Sequence, residues 1–70
     1  MNKDELKIEA IKHGIPSFKK LAEFVGIPLK RFYYHLKTGN FTREEILQIA
    51  RALSLTSERI IDIFFVQKVS

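Results

Sequence analysis

Two amphipathic segments stand almost back to back on either side of Gly26, with no linker between them. In the first, Phe18 to Val25, the apolar residues Leu21, Ala22 and Val25 fall on one helical face, and Ser17, after Pro16, stands where an N-cap belongs. The second segment begins at once, at about Pro28 or Leu29, and runs to Lys37. At about 100° per residue, Leu29, Phe32 and Leu36 lie on one side and Lys30, Arg31, Tyr34 and Lys37 on the other. Tyr33 and His35 flank the two faces, and partial core packing is expected for Tyr33. A helix can stop and another restart in so short a space only if the backbone turns sharply. Glycine, lacking a Cβ, takes the left-handed conformation that such a turn needs. The spacing therefore predicts two short helices joined by a tight turn, the second with an apolar inside and an outside of cations and an aromatic.

Caps mark the other boundaries. A first helix is predicted from about Asn2 or Lys3 to Lys12, with Asp4 and Glu5 early and Lys12 and His13 late, the order that suits the helix dipole. Gly14 ends it. Leu6, Ala10 and Ile11 supply its inward stripe, Ile8 fits that face poorly, and Ile15 packs where the chain turns. Thr38, Gly39 and Asn40 terminate the third helix. The fourth has the clearest start signal: Thr42 and Glu45 have capping-box spacing, and Phe41 and Ile46 occupy the hydrophobic-staple positions around them. Its inward stripe is Ile46, Ile49, Ala50 and Leu53. Thr56 caps a fifth helix with Leu55 and Ile60 at staple spacing; Ile60, Ile61 and Phe64 continue it to an end near Phe65 to Gln67. From Ile60 to Val69 the chain is more apolar than one helix face requires, which suits either a cap on the core or a dimer or partner interface. The expectation is an all-α fold of five short helices in one domain, residues 1–70.

Composition excludes several alternatives. The chain is 46% hydrophobic and 29% charged, an ordinary balance for a folded domain rather than a disordered segment. It contains no cysteine, so disulfides and thiolate metal sites are ruled out, and packing or a partner must hold so small a domain together. The longest wholly apolar run, Ile63 to Val66, is far short of the roughly 20 residues of a membrane span. The charged N-terminus lacks a signal peptide's apolar stretch, so a soluble, unprocessed, cytoplasmic protein is expected. His13 and His35 stand apart from each other and from any acidic cluster at ligand spacing, so no metal is expected. No glycine-rich phosphate loop is present, and 70 residues could scarcely enclose a nucleophile, its base and an oxyanion site. The expectation is a protein without catalytic residues, cofactor or small-molecule substrate.

Charge is unevenly divided. Residues 1–16 balance Lys3, Lys7 and Lys12 against Asp4, Glu5 and Glu9. From 17 to 43, Lys19, Lys20, Lys30, Arg31, Lys37 and Arg43 face Glu23 alone, a net +5. The remainder, with Arg51, Arg59 and Lys68 against Glu44, Glu45, Glu58 and Asp62, is −1. The excess positive charge thus lies in the middle third, where it would attract phosphate backbones or acidic surfaces.

Ser17, Leu21, Ala22, Gly26, Ile27, Phe32, Leu36 and Gly39 within SFKKLAEFVGIPLKRFYYHLKTG, followed by TREEILQIARALSLTSERI, resemble the helix-turn-helix domain of phage repressors and Cro proteins. Leu21-Ala22 and Gly26-Ile27 match the motif's core, while Ile49-Ala50 and Leu53 match the helix that closes it. The resemblance implies a lambda-repressor-like fold with the helix-turn-helix at helices two and three. It further implies a small Cro-like transcriptional regulator that binds double-stranded operator DNA, as a homodimer on paired half-sites, in a bacterial or phage-infected cell. By position, Leu29, Lys30, Arg31 and Tyr34 would face the major groove, with Ser17, Lys19, Lys37 and Asn40 near phosphates.

The chain departs from the family pattern where it matters. Phe18 stands where the second helix commonly opens on a polar residue, and Pro28 and Leu29 replace the usual hydroxyl and long polar side chain. Leu29 can meet a thymine methyl but cannot hydrogen-bond a base. Phe18, Leu29, Tyr33 and Tyr34 would leave an apolar, aromatic surface on or near the reading face, typical of protein contacts. A second function follows: an antirepressor or protein-binding module that keeps the fold and engages another repressor in a heteromeric complex.

Overall fold

A computed structural model describes residues 1–65. These residues form α1 (Lys3–Lys12), α2 (Phe18–Val25), α3 (Leu29–Thr38), α4 (Arg43–Ala52) and α5 (Ser57–Phe64), with no strand among them. Side-chain caps start four of the five helices. Asn2 Oδ1 accepts the Glu5 N–H at 3.2 Å, Ser17 Oγ that of Lys20 at 3.2 Å, and Thr56 Oγ1 that of Arg59 at 3.2 Å. At α4 the capping box is complete: Thr42 Oγ1 accepts from the Glu45 N–H at 3.2 Å, and Glu45 Oε1 accepts from the Thr42 N–H at 2.9 Å. Only α3 begins without one, on Pro28.

The α2–α3 turn forms as the glycine predicts. Gly26 adopts φ 80°, and the Ala22 carbonyl accepts both the Gly26 and the Ile27 N–H at 3.0 Å, which satisfies the end of α2. Ile27 then tucks into the interior, 5% exposed, so that α3 starts two residues later.

Helix α2 packs against α1, α3 and α4, and α5 closes the far side against α1 and α4. Leu6, Leu21, Phe32, Ile49, Leu53 and Ile63 are fully enclosed. Burying each such side chain contributes roughly 1.5–3 kcal/mol. Aromatic rings thread the interior: Phe32 lies 6.1 Å from Phe18 and 5.2 Å from Phe41, and Phe41 lies 5.9 Å from Phe64. Both staple residues of α4, Phe41 and Ile46, are buried.

Several inward assignments are corrected. Ile11 is exposed, because Leu6, Ala10 and the carboxylate-bearing Glu9 fill the face of α1 that meets its neighbours. Ile61 is likewise exposed, and Ile63 takes the buried place beside Phe64. Leu29 sits at the rim, 38% exposed, rather than with Phe32 and Leu36 inside. Tyr33 is 45% exposed, its ring perpendicular to that of Phe32 at 6.2 Å between centroids. The fifth helix ends at Phe64, with Phe65 as its C-cap, and the expected apolar continuation over residues 66–69 lies outside the described residues.

Glu9 is buried because it has a distant partner. Arg59 on α5 donates from Nε to Glu9 Oε2 at 3.1 Å and from a terminal nitrogen to Glu5 Oε2 at 2.7 Å, and it lies 3.5 Å from Asp62. The Asn2 N–H also reaches the Ile63 carbonyl at 2.7 Å, so α1 and α5 are tied by both backbone and charge. No helix among the described residues is long and apolar enough to cross a membrane.

Candidate nucleic-acid interface

The burial of Phe32 and Leu36 decides what α3 shows to solvent. With those two held inside, Lys30, Arg31, Tyr33, Tyr34 and Lys37 point outward and, together with the edge of His35, line one shallow concavity. Of the two tyrosines Tyr34 is the more open, 65% exposed. Lys30, Arg31 and Lys37 have no ion pair among the described residues, so their charge is available to a partner.

A second cleft, of about 510 Å³, adjoins this surface where the α2–α3 turn faces the start of α4. Gly26, Pro28, Arg31, His35, Thr42 and Arg43 are among its walls. Arg31 and His35 line both hollows, and this cleft is of mixed charge, with Arg31 and Arg43 set beside Glu44 and Glu45.

The remaining predicted residues fall elsewhere. Ser17 is half-buried with its hydroxyl engaged as the cap of α2; Lys19 and Asn40 are exposed but line neither hollow. Phe18 does not belong to the exposed apolar surface expected of it. Its ring leans on Phe32 and joins the core, because the first turn of α2 lies over the buried side of α3. Leu29 and the two tyrosines are therefore the apolar part of this face.

Three features escape a reading of the sequence. Arg43 is one: the charge count includes it, but nothing local sets it opposite Arg31. Phe24 is another, 64% exposed on α2 beside Pro16 and Lys20, off the face of α3. The third is a contact between His35 and Glu45, which is 6% exposed. His35 Nδ1 lies 2.8 Å from Glu45 Oε1, within ion-pair distance but off the line of a hydrogen bond. Both Nδ1 and Glu45 Oε2 are enclosed without a hydrogen-bond partner among the described residues. The one available signal is the capping box, which bends its glutamate back toward the chain that precedes the helix.

No group of histidine and carboxylate side chains suited to a metal ion occurs among the described residues. No protein-family model, no curated protein and no solved structure matches the chain.

Proposed function

We propose that this chain is a small helix-turn-helix regulator that binds double-stranded DNA through α3, with Leu29, Lys30, Arg31 and Tyr34 toward the major groove and Lys37 toward a phosphate. The observation that carries the reading is the cationic face of α3, Lys30, Arg31 and Lys37, which has no ion pair among the described residues and is held outward by the buried Phe32 and Leu36. A helix of this width fits the major groove, and cations on its outer face supply the sequence-independent share of the affinity. Arg43, in the adjoining cleft that also holds Glu44 and Glu45, would add one further cation at the edge of this surface. The role is binding, not catalysis. For pairing on two half-sites, the apolar hollow lined by Leu47, Ile60 and Phe65 offers one self-association surface. The test is a fluorescence anisotropy titration of a mixed-sequence duplex at several salt concentrations. Binding that weakens steeply with salt supports the reading, because neutralised phosphates release counterions; no binding at low salt overturns it.

A second reading rests on the exposure of Leu29, Tyr33 and Tyr34 on this same face. An antirepressor would use them as anchors in the surface of another repressor, with the lysines as its rim.

A further inference from the structure

Resting on the reading of α3 as a DNA-facing helix, we propose that Leu29 sets the sequence preference of that face: it recognises the C5-methyl group of thymine, within sites that present thymine and guanine edges to the helix. The face combines hydrogen-bond donors and apolar groups with hardly an acceptor. With Phe32 and Leu36 buried, the exposed residues from the start of α3 to Lys37 are Leu29, Lys30, Arg31, Tyr33, Tyr34 and Lys37. None is a carboxylate or an amide. The cap position, where a serine, threonine or aspartate brings an oxygen, holds Pro28, and no side chain caps the helix. Thr38, at the far end, turns its hydroxyl back to the Tyr34 carbonyl at 3.1 Å. His35 is half-buried against Glu45, and Glu44 and Gln48 belong to α4, on the wall of the adjoining cleft.

The bases differ in what their major-groove edges ask of a partner. Guanine offers the acceptors N7 and O6, and thymine offers the O4 acceptor and a methyl group; cytosine presents an N4 amino donor, and adenine an N6 amino donor beside its N7. Lysine and arginine only donate, and the two tyrosine hydroxyls donate as well as accept. Arg31 therefore satisfies guanine, while an amino group of cytosine or adenine set against the cations loses water without gaining an acceptor. Leu29 adds the contrast that the cations cannot. It lies in the first turn, where a recognition helix meets base edges, 38% exposed; Tyr33, one turn on and 45% exposed, prolongs the same stripe. Against thymine, the leucine and the methyl group leave water together; against cytosine, Leu29 would cover an amino group instead. Lys30, Arg31 and Lys37 also reach phosphates, which supply affinity on any sequence. Discrimination then falls to Leu29.

The experiment selects tight sites from a duplex library of random sequence, then measures the selected duplex by anisotropy with thymidine or with deoxyuridine, which lacks only the methyl group. Selected sites are expected to share fixed thymine–adenine pairs. For the unaltered protein, deoxyuridine should weaken binding about fourfold for each methyl group withdrawn from contact, the transfer value of one buried carbon. In Leu29→Ala the two duplexes should bind alike, while the cations keep the overall affinity close to its former level. The result is a ratio within one protein, so a general change in affinity does not imitate it. Leu29 lies at the rim of the core, and circular dichroism should find the variant folded. If it is not, the comparison of the two duplexes with the unaltered protein is itself the test. Selected sites without a fixed thymine, equal binding of both duplexes by the unaltered protein, or a deoxyuridine penalty that survives in folded Leu29→Ala overturns the proposal and leaves DNA binding standing. No duplex bound at low salt removes the functional reading along with it.

Discussion

The ring of Phe32 meets the ring of Phe41 edge-on, their centroids 5.2 Å apart. The contact joins the hidden side of α3 to the staple residue that introduces α4, and so sets the rotation of α3 about its own axis. Because Lys30, Arg31 and Tyr34 are the neighbours of Phe32 in sequence, the direction of the cationic face follows from where this ring is buried.

Phe32→Ala removes the centre of that arrangement, a side chain with no exposure and three aromatic neighbours, Phe18, Tyr33 and Phe41. The expected cost is about 3–5 kcal/mol, the range for emptying a core phenylalanine site. A domain of this size has about that much stability in total, so the variant should be largely unfolded at room temperature. Thermal melting by circular dichroism checks it; a melt within a few degrees of the unaltered protein contradicts the role assigned to Phe32.

Thr42→Ala should destabilise by about 1 kcal/mol, because the Glu45 N–H loses its acceptor. Glu45→Ala removes both the acceptor of the Thr42 N–H and the contact with His35. The two changes should be less than additive, since each undoes the other half of the box. A double-mutant cycle in urea measures the coupling, and strict additivity would mean that the two bonds act independently.

How much of this architecture the sequence announces depends on the kind of signal. The caps at Ser17, Thr42 and Thr56, the stop at Gly26 and the stripes through Leu21, Phe32 and Ile49 are local, so α2 and the start of α4 can be read from residues a few positions apart. What periodicity cannot supply is which neighbour a face meets. Ile11 and Ile61 look inward by composition but are exposed, while Glu9 looks outward and is buried, because Arg59 arrives from 50 positions away. The same holds for the candidate site. The outward set Lys30, Arg31, Tyr34 and Lys37 follows from helical spacing alone, whereas Phe18's place in the core, Arg43 across the cleft and the His35–Glu45 contact depend on how helices are juxtaposed.

The Arg59 guanidinium, hydrogen-bonded first to Glu5 and then to Glu9, is held further above its already high ordinary titration range, with desolvation acting in the opposite direction. A group raised in the folded state stabilises at every pH below its unfolded range and loses that effect only as pH climbs through the folded one. Its own titration therefore leaves the contribution intact at neutral pH, where Glu5 and Glu9 are ionised, and removes it only in strong alkali. Arg59→Met should lower the melting temperature, because it leaves Glu9 enclosed with only Lys12, at 3.7 Å, nearby. Adding Glu9→Gln should restore part of the loss by removing the stranded charge. Melting of the single and double variants decides the point: a double variant less stable than Arg59→Met alone would mean that Glu9 is held by something other than Arg59.

The face of α3 carries two overlapping chemistries, and alanine substitutions separate them. Lys30 and Arg31 are exposed and have no ion pair among the described residues, so with DNA as partner each replacement should weaken binding and lower the salt slope by about one unit for every phosphate left without its cation. Leu29→Ala would then matter little, felt mainly opposite a thymine methyl. With a repressor protein as partner the ranking inverts. Leu29 and Tyr34 become anchors whose truncation costs about 2 kcal/mol or more, while the cations chiefly alter the rate of association. Phe18 belongs to neither pattern, since its ring lies against Phe32, and Phe18→Ala should register in the melting curve before it registers in binding. Anisotropy with a duplex at low and moderate salt, run on Leu29→Ala, Lys30→Ala, Arg31→Ala and Tyr34→Ala, distinguishes the two. The DNA pattern is the expected one; apolar substitutions that dominate while no duplex is retained at low salt would transfer the face to a protein partner.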